Sequence, residues 1–165
     1  PWDSTEQDIT RLYWHMMMVG IPPESVEEIC NHLGLGHGLM RSMTATTTLV
    51  ENIENFADPT LKPSEATQYL EKIPSIALDI AWLTLDEQTY AQQVIERYMT
   101  KWRNQRATIN GNDLNKMGFE PGPQYKVILE QLRYAWIDNK INNAQEELNY
   151  LHQLITQGNL YNDQS

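Results

Sequence analysis

Apolar residues recur every three or four positions along most of this chain, and at about 100° per residue that spacing gathers them on one side of a helix. Ile9, Leu12, Tyr13 and Met16 to Met18 predict a helix over residues 4–18, with Ser4 and Gln7 as a capping box. Gly20 and the Pro22-Pro23 pair stop it, and Val26, Ile29, Cys30 and Leu33 predict a second helix over 23–33. Gly34, Gly36 and Gly38 then make a helix–helix turn, since this glycine run lacks the preceding strand and the spacing of a phosphate loop. Leu39, Met40, Met43, Leu49, Val50, Ile53 and Phe56 predict a third helix over 39–57. Its middle is weakened by Thr46, Thr47 and Thr48, because β-branched side chains lose rotamer freedom in a helix. Lys62-Pro63-Ser64-Glu65 opens a fourth helix to about Lys72, and Pro74 a fifth through Ile76, Ile80, Ala81 and Leu83.

Asp86-Glu87 opens a sixth, long helix reaching Arg106, whose acidic start and basic end complement the helix dipole. Ala91, Val94, Tyr98 and Trp102 share one stripe of it, with Arg97 and Lys101 at one edge, Arg106 toward the other and Arg103 pointing away. The stretch that follows, Ile109 to Asp138, organises the rest of the chain. A polar turn, Asn110-Gly111-Asn112-Asp113, precedes a brief helical piece from Leu114 to Met117 that Gly118 ends. Phe119 leads into Pro121-Gly122-Pro123, and a long helix then runs through Tyr125, Ile128, Leu129, Leu132, Ala135 and Trp136. A proline in the first turn loses no hydrogen bond, and the open amides of that turn are suited to meet a phosphate. Asn142, with Gln145 at the capping-box position, starts a final helix through Ala144, Leu148, Leu151 and Leu154 that ends near Gly158. The polar residues 159–165 are expected to fray. No strand run appears, so the expectation is an all-α array of about eight or nine helices. It divides into an N-terminal part, 1–58, and a C-terminal part, 59–158.

At 165 residues the chain suits one domain or two small helical subdomains. It opens on Pro1 with no signal-peptide pattern, which is compatible with a fragment of a longer protein. No apolar run approaches the roughly 18 residues of a membrane span. The single Cys30 rules out an internal disulfide, fits a reducing cytoplasm, and sits in an apolar pattern where it packs as a small hydrophobe. The four histidines, His15, His32, His37 and His152, form no metal-ligand spacing. The formal net charge of −10 argues against a general nucleic-acid binder. The charge is uneven, however: eight basic and four acidic residues lie between Arg97 and Lys140, leaving 4 basic and 18 acidic elsewhere. Such asymmetry suits a directional RNA clamp and equally suits ordinary helix surfaces.

The Ile109–Asp138 stretch resembles the C-terminal part of bacterial class II tRNA nucleotidyltransferases, the CCA-adding enzyme and poly(A) polymerase family. The family pattern is carried here by Ile109, Gly111, Asp113, Leu114, Gly118, Pro121, Gly122, Pro123, Tyr125, Ile128, Leu129, Leu132, Ala135, Asp138 and Ile141. The upstream Lys62-Pro63-Ser64-Glu65 and the Trp102–Arg106 piece resemble the same family, whereas the first twenty or so residues are not placed by the resemblance. Met117 stands where the family has leucine, and Lys126 and Asn139 where it has glycine, which questions a close backbone approach at those two points.

The resemblance implies a fold like the C-terminal region of poly(A) polymerase. It also implies a cytoplasmic enzyme whose catalytic head adds CCA, CC, A or a poly(A) tail with Mg²⁺ and CTP or ATP. The paired carboxylates and Gly-Ser turn of that head are absent, so no cofactor, metal or catalytic residue is expected on this chain. What it is expected to do is bind the acceptor stem and T-arm of tRNA by shape and backbone contacts. The candidate residues are Arg97, Lys101, Arg103, Arg106, Lys116, Gly122, Tyr125 and Lys126, with Tyr125 as the base-stacking candidate and Gly122 at the phosphate-facing corner. Gly111 and Asp113 are expected to be structural, as a turn glycine and a helix cap, and Trp102 and Trp136 to be core. The alternative is a helical protein-interaction or homodimerisation module without RNA binding; an unrecognised helical enzyme is a weaker third.

Overall fold

Alternation of helix-spaced apolar runs with glycine and proline produces short helices separated by tight corners. The computed structural model describes residues 6–53, 58–86 and 89–156. Among them are nine α-helices and no strand. The described residues separate into two compact units, divided between Thr100 and Lys101.

The first unit contains α1 (Glu6–Met18), α2 (Pro23–His32), α3 (His37–Glu51), α4 (Pro63–Leu70), α5 (Ser75–Thr84) and α6 (Tyr90–Thr100). Met18, Val26, Cys30 and Met43 bring α1, α2 and α3 together in one cluster, backed by Trp14, Ile29 and Leu39. The second half of the unit buries Leu70, Ala77, Leu78, Ile80, Ala81, Val94 and Ile95 on α4, α5 and α6. The threonine run is accommodated because the hydroxyls of Thr44 and Thr46 donate to the carbonyls of Met40 and Ser42, and that of Thr47 to Thr44. Thr46 and Thr47 are thereby buried with their polar atoms satisfied. The α3 helix also starts before Leu39, taking in Gly38.

The Lys62-Pro63-Ser64-Glu65 motif is a helix start. Pro63 takes the first helical position, and the Glu65 carboxylate accepts from the Lys62 backbone N–H at 3.2 Å while lying 3.4 Å from its ammonium.

The second unit contains a 3-10 turn (Trp102–Asn104), α7 (Gly111–Lys116), α8 (Pro123–Ile137) and α9 (Ala144–Thr156). Ile109, Leu114, Ile128, Leu132, Leu151 and Leu154 form its core.

Three sequence expectations need correction. The long sixth helix does not reach Arg106. It ends at Thr100, Lys101 breaks the helical path at φ −124°, and Lys101, Arg103 and Arg106 therefore lie beyond the helix on which they were expected. It starts at Tyr90, behind Thr89, whose hydroxyl and carbonyl accept from the N–H groups of Gln92 and Gln93. The polar turn at 110–113 is instead the cap and first turn of α7. The last helix is capped by Asn143 with Glu146, one position beyond Asn142 with Gln145. The Ser4–Gln7 box, Phe56, Glu87, the predicted end at Gly158 and the polar tail lie outside the described residues.

Candidate nucleic-acid interface

Seven of the eight candidate residues belong to the second unit, and Arg97 belongs to the first. Arg97 is an exposed residue on α6, and the seven others are described on the second unit by itself.

Two non-local polar anchors shape the second unit. Arg133 of α8 donates from Nε to the Gln105 carbonyl at 2.8 Å and from Nη2 to the Trp102 carbonyl at 3.3 Å. Glu147 of α9 is fully buried, and its carboxylate accepts from the Thr108 N–H and hydroxyl and from the Ile109 N–H. A buried carboxylate costs several kcal/mol of desolvation unless such donors surround it. Neither residue was among the sequence candidates. Glu147 did leave a signal: it stands four positions before Leu151 and seven before Leu154, on the apolar face of α9.

From that anchored entry the chain turns into α7. The Asn110 side chain accepts from the N–H groups of Asn112 and Asp113, and the Asp113 carboxylate accepts from the Asn110 N–H, completing a reciprocal cap. Gly118 at φ +90° closes the helix. Its N–H donates to the Asn115 carbonyl, and the Phe119 N–H to that of Leu114. Gly111 is not in a left-handed conformation. A Cβ there would meet the Tyr125 ring at 3.5 Å, an ordinary contact, so its predicted role as a turn glycine gives way to packing against Tyr125.

Pro123 occupies the first position of α8, and Gly122 caps it in extended backbone, with no side chain accepting from the first amides. The Tyr125 N–H donates to the Gly122 carbonyl. Tyr125 is half-buried against the core, and its hydroxyl donates to the Phe119 carbonyl at 2.8 Å. It therefore ties both sides of the glycine-proline corner together.

Around this corner the cations are disposed unequally. Lys116 is 79% exposed and 3.8 Å from Asp113; Lys126 is 81% exposed and 4.0 Å from Glu130. Lys116 ends α7, where a cation suits the helix dipole, but Lys126 lies in the early turns of α8, where it does not. Its pair with Glu130 also runs in the weaker order for a helix. Arg106 folds back, donating to the carbonyls of Arg103 and Gln105. Lys101 precedes the 3-10 turn and Arg103 lies in it, and both are exposed. A depression of about 290 Å³ adjoins Lys116, floored by Ile109, Met117 and Leu148.

Asn139, where the resembled family carries glycine, adopts φ +56° after α8. Asparagine tolerates that conformation, so the turn is kept without glycine. Lys126, at the other such position, is simply an exposed helical residue. Trp102 is buried as expected, while Trp136 is only half-buried and its indole N–H lacks a partner. Among the described residues no three His, Cys, Asp or Glu side chains gather to hold a metal ion. No described helix is long and apolar enough to cross a membrane.

Over residues 1–151 the chain matches the family described as "tRNA nucleotidyltransferase domain 2 putative". The match takes in the opening residues that the motif resemblance left unplaced. Neither the curated proteins nor the solved structures give a match.

Proposed function

Starting from a chain that belongs to the tRNA nucleotidyltransferase domain 2 family, we propose that it is a part of such an enzyme that holds tRNA and performs no bond chemistry itself. The acceptor stem and T-arm are gripped by outline, while nucleotide addition, with its Mg²⁺ and CTP or ATP, takes place on a separate head. Cytoplasmic tRNA maturation is the setting this implies. Whether the enzyme adds CCA, CC, A or poly(A) is decided by that head.

The observation that carries this reading is the corner at Pro121–Pro123. Two exposed lysines, Lys116 and Lys126, flank a helix start that no side chain caps. Lys126 is the fourth residue of α8, where the helix dipole opposes a cation only mildly and a phosphate partner would offset that opposition. Lys101 and Arg103 extend the cationic surface, and the first amides of α8 beside Gly122 add donors. Tyr125, half-buried with its hydroxyl holding the corner, is the candidate for stacking on a base. Arg106 contributes through the shape of its loop, since its guanidinium is turned onto local carbonyls.

Filter binding of tRNA at two salt concentrations tests the proposal. Lys116→Glu with Lys126→Glu should weaken binding and lower the slope of log affinity against log salt by about 2, roughly one for each phosphate that is no longer neutralised. Lys72→Glu, an exposed position of the first unit, should leave both unchanged. Unaltered affinity in the double variant would show that neither lysine meets the RNA.

A further inference from the structure

The first unit carries an apolar surface that the tRNA reading leaves unused. On α1, Met18 and His15 point into the core, yet Ile9, Tyr13, Met16 and Met17 are exposed, with Tyr13 and Met17 about two-thirds accessible. A helix apolar on both sides usually has both sides covered. Next to it Trp82 and Leu83 of α5 are exposed as well. A groove of about 510 Å³ is walled by Leu12 of α1, Trp82 and Leu83 of α5 and Met99 of α6, and the exposed Ile9, Tyr13, Met16 and Met17 lie on α1 outside that lining. An apolar patch of this kind marks an interaction site more often than chance exposure.

Charge decides what fits. The ionisable side chains lining the groove are Asp79 and Glu96, both acidic. The unit they belong to, Pro1–Thr100, has 5 basic and 15 acidic residues, while Lys101–Ser165 has 7 of each. All of the net charge of −10 therefore resides in the unit with the groove. A phosphate backbone or an anionic lipid surface would be repelled there, and a second copy would bring the same acidic excess to the same acidic rim. A protein helix with an apolar stripe and basic flanks meets both demands: its stripe fills the groove, and its cations face Asp79 and Glu96. We propose that the α1–α5–α6 groove is a docking site for a basic amphipathic helix of a partner protein.

The test titrates fluorescently labelled peptides of 18 residues, about five helical turns, into the full chain at physiological salt and follows anisotropy. One peptide has a leucine stripe flanked by lysines, one has glutamates in place of the lysines, and one is the lysine peptide scrambled so that no stripe remains. The leucine–lysine peptide should bind at least about tenfold more tightly than either control. Leu83→Lys, at an exposed position, should weaken it by about tenfold, and Asp79→Asn with Glu96→Gln should weaken it several-fold and flatten its salt dependence. Unchanged circular dichroism establishes that the variants are folded. Equal binding of the scrambled peptide would reduce the effect to general attraction by an acidic surface and overturn the proposal. So would unaltered binding by the folded Leu83→Lys variant. A dimer on a sizing column that Leu83→Lys dissolves would instead make a second copy the occupant and overturn it as well.

Discussion

The two units are built on different physical terms. The first is held by apolar helix faces: Met43, Leu49, Leu70, Ile80 and Ile95 are all inaccessible to solvent, and even its threonines bury their hydroxyls against their own helices. In the second, α7, α8 and α9 are joined by connections whose backbone is fixed by polar side chains reaching across the unit: Glu147 to Thr108 and Ile109, Arg133 to Trp102 and Gln105, Tyr125 to Phe119. Helix interiors satisfy their own amides, so apolar contact suffices to arrange them. Corners leave amides and carbonyls without internal partners, and buried side-chain charge has to satisfy them. The same difference shows in net charge. The unit held by apolar contact carries the acidic excess, whereas the unit held by polar anchors is neutral and displays its lysines at a corner.

Five changes would break or sharpen this contrast. The largest effect belongs to the apolar unit. Leu49→Ala should cost about 3–4 kcal/mol in urea unfolding, because the transfer term and the cavity add in a site with no accessible surface. Next comes Glu147→Ala, which strands the Thr108 and Ile109 amides and should cost about 3 kcal/mol. Hydrogen exchange should show the loss in α7 and α8 while the amides of α3 and α5 stay protected. Equal loss in both units would refute their separate stabilisation.

Smaller effects distinguish the glycines. Gly118→Ala should cost about 1 kcal/mol because of its left-handed φ, whereas Gly111→Ala should be nearly neutral, its methyl meeting Tyr125 at ordinary contact. Thermal unfolding of the two variants side by side gives the difference.

The smallest effect is a pH dependence confined to the first unit. His15 is 1% exposed; its Nδ1–H donates to the Arg11 carbonyl, so Nε2 of the neutral ring accepts from the Ser42 hydroxyl. Burial, helped by the Arg11 charge and opposed by the bond to the Arg11 carbonyl, lowers its pKa below the ordinary 6.5. The folded state therefore prefers the neutral ring. Its contribution is intact above 6.5 and declines as pH falls below that value toward the lowered pKa. His15→Gln should remove this decline from the stability–pH curve. Cys30 needs no such test, since burial raises its thiol pKa and leaves it an unreactive core residue.

Features fixed within a few residues were legible from the sequence. Gly118 as a helix stop, Pro123 in a first turn, the α8 stripe through Ile128, Leu132 and Ala135, the burial of Cys30 and the all-helical class depend on local sterics and periodicity alone. The length of the sixth helix was not legible. Its periodicity continues through Trp102, but carbonyls near the break bond to Arg133, 28 and 31 residues later.

What the sequence by itself determined was therefore helix, corner and helix, together with local signals such as the Gly118 stop and the Pro123 start, because those choices involve neighbours at spacings of one to four. What only the tertiary structure decided was which polar groups close the corners. Glu147 lies 38 and 39 residues from the amides it holds, and Ser42 lies 27 from His15. The energy of such contacts comes from removing both partners from water together, and no local pattern records which two groups will meet.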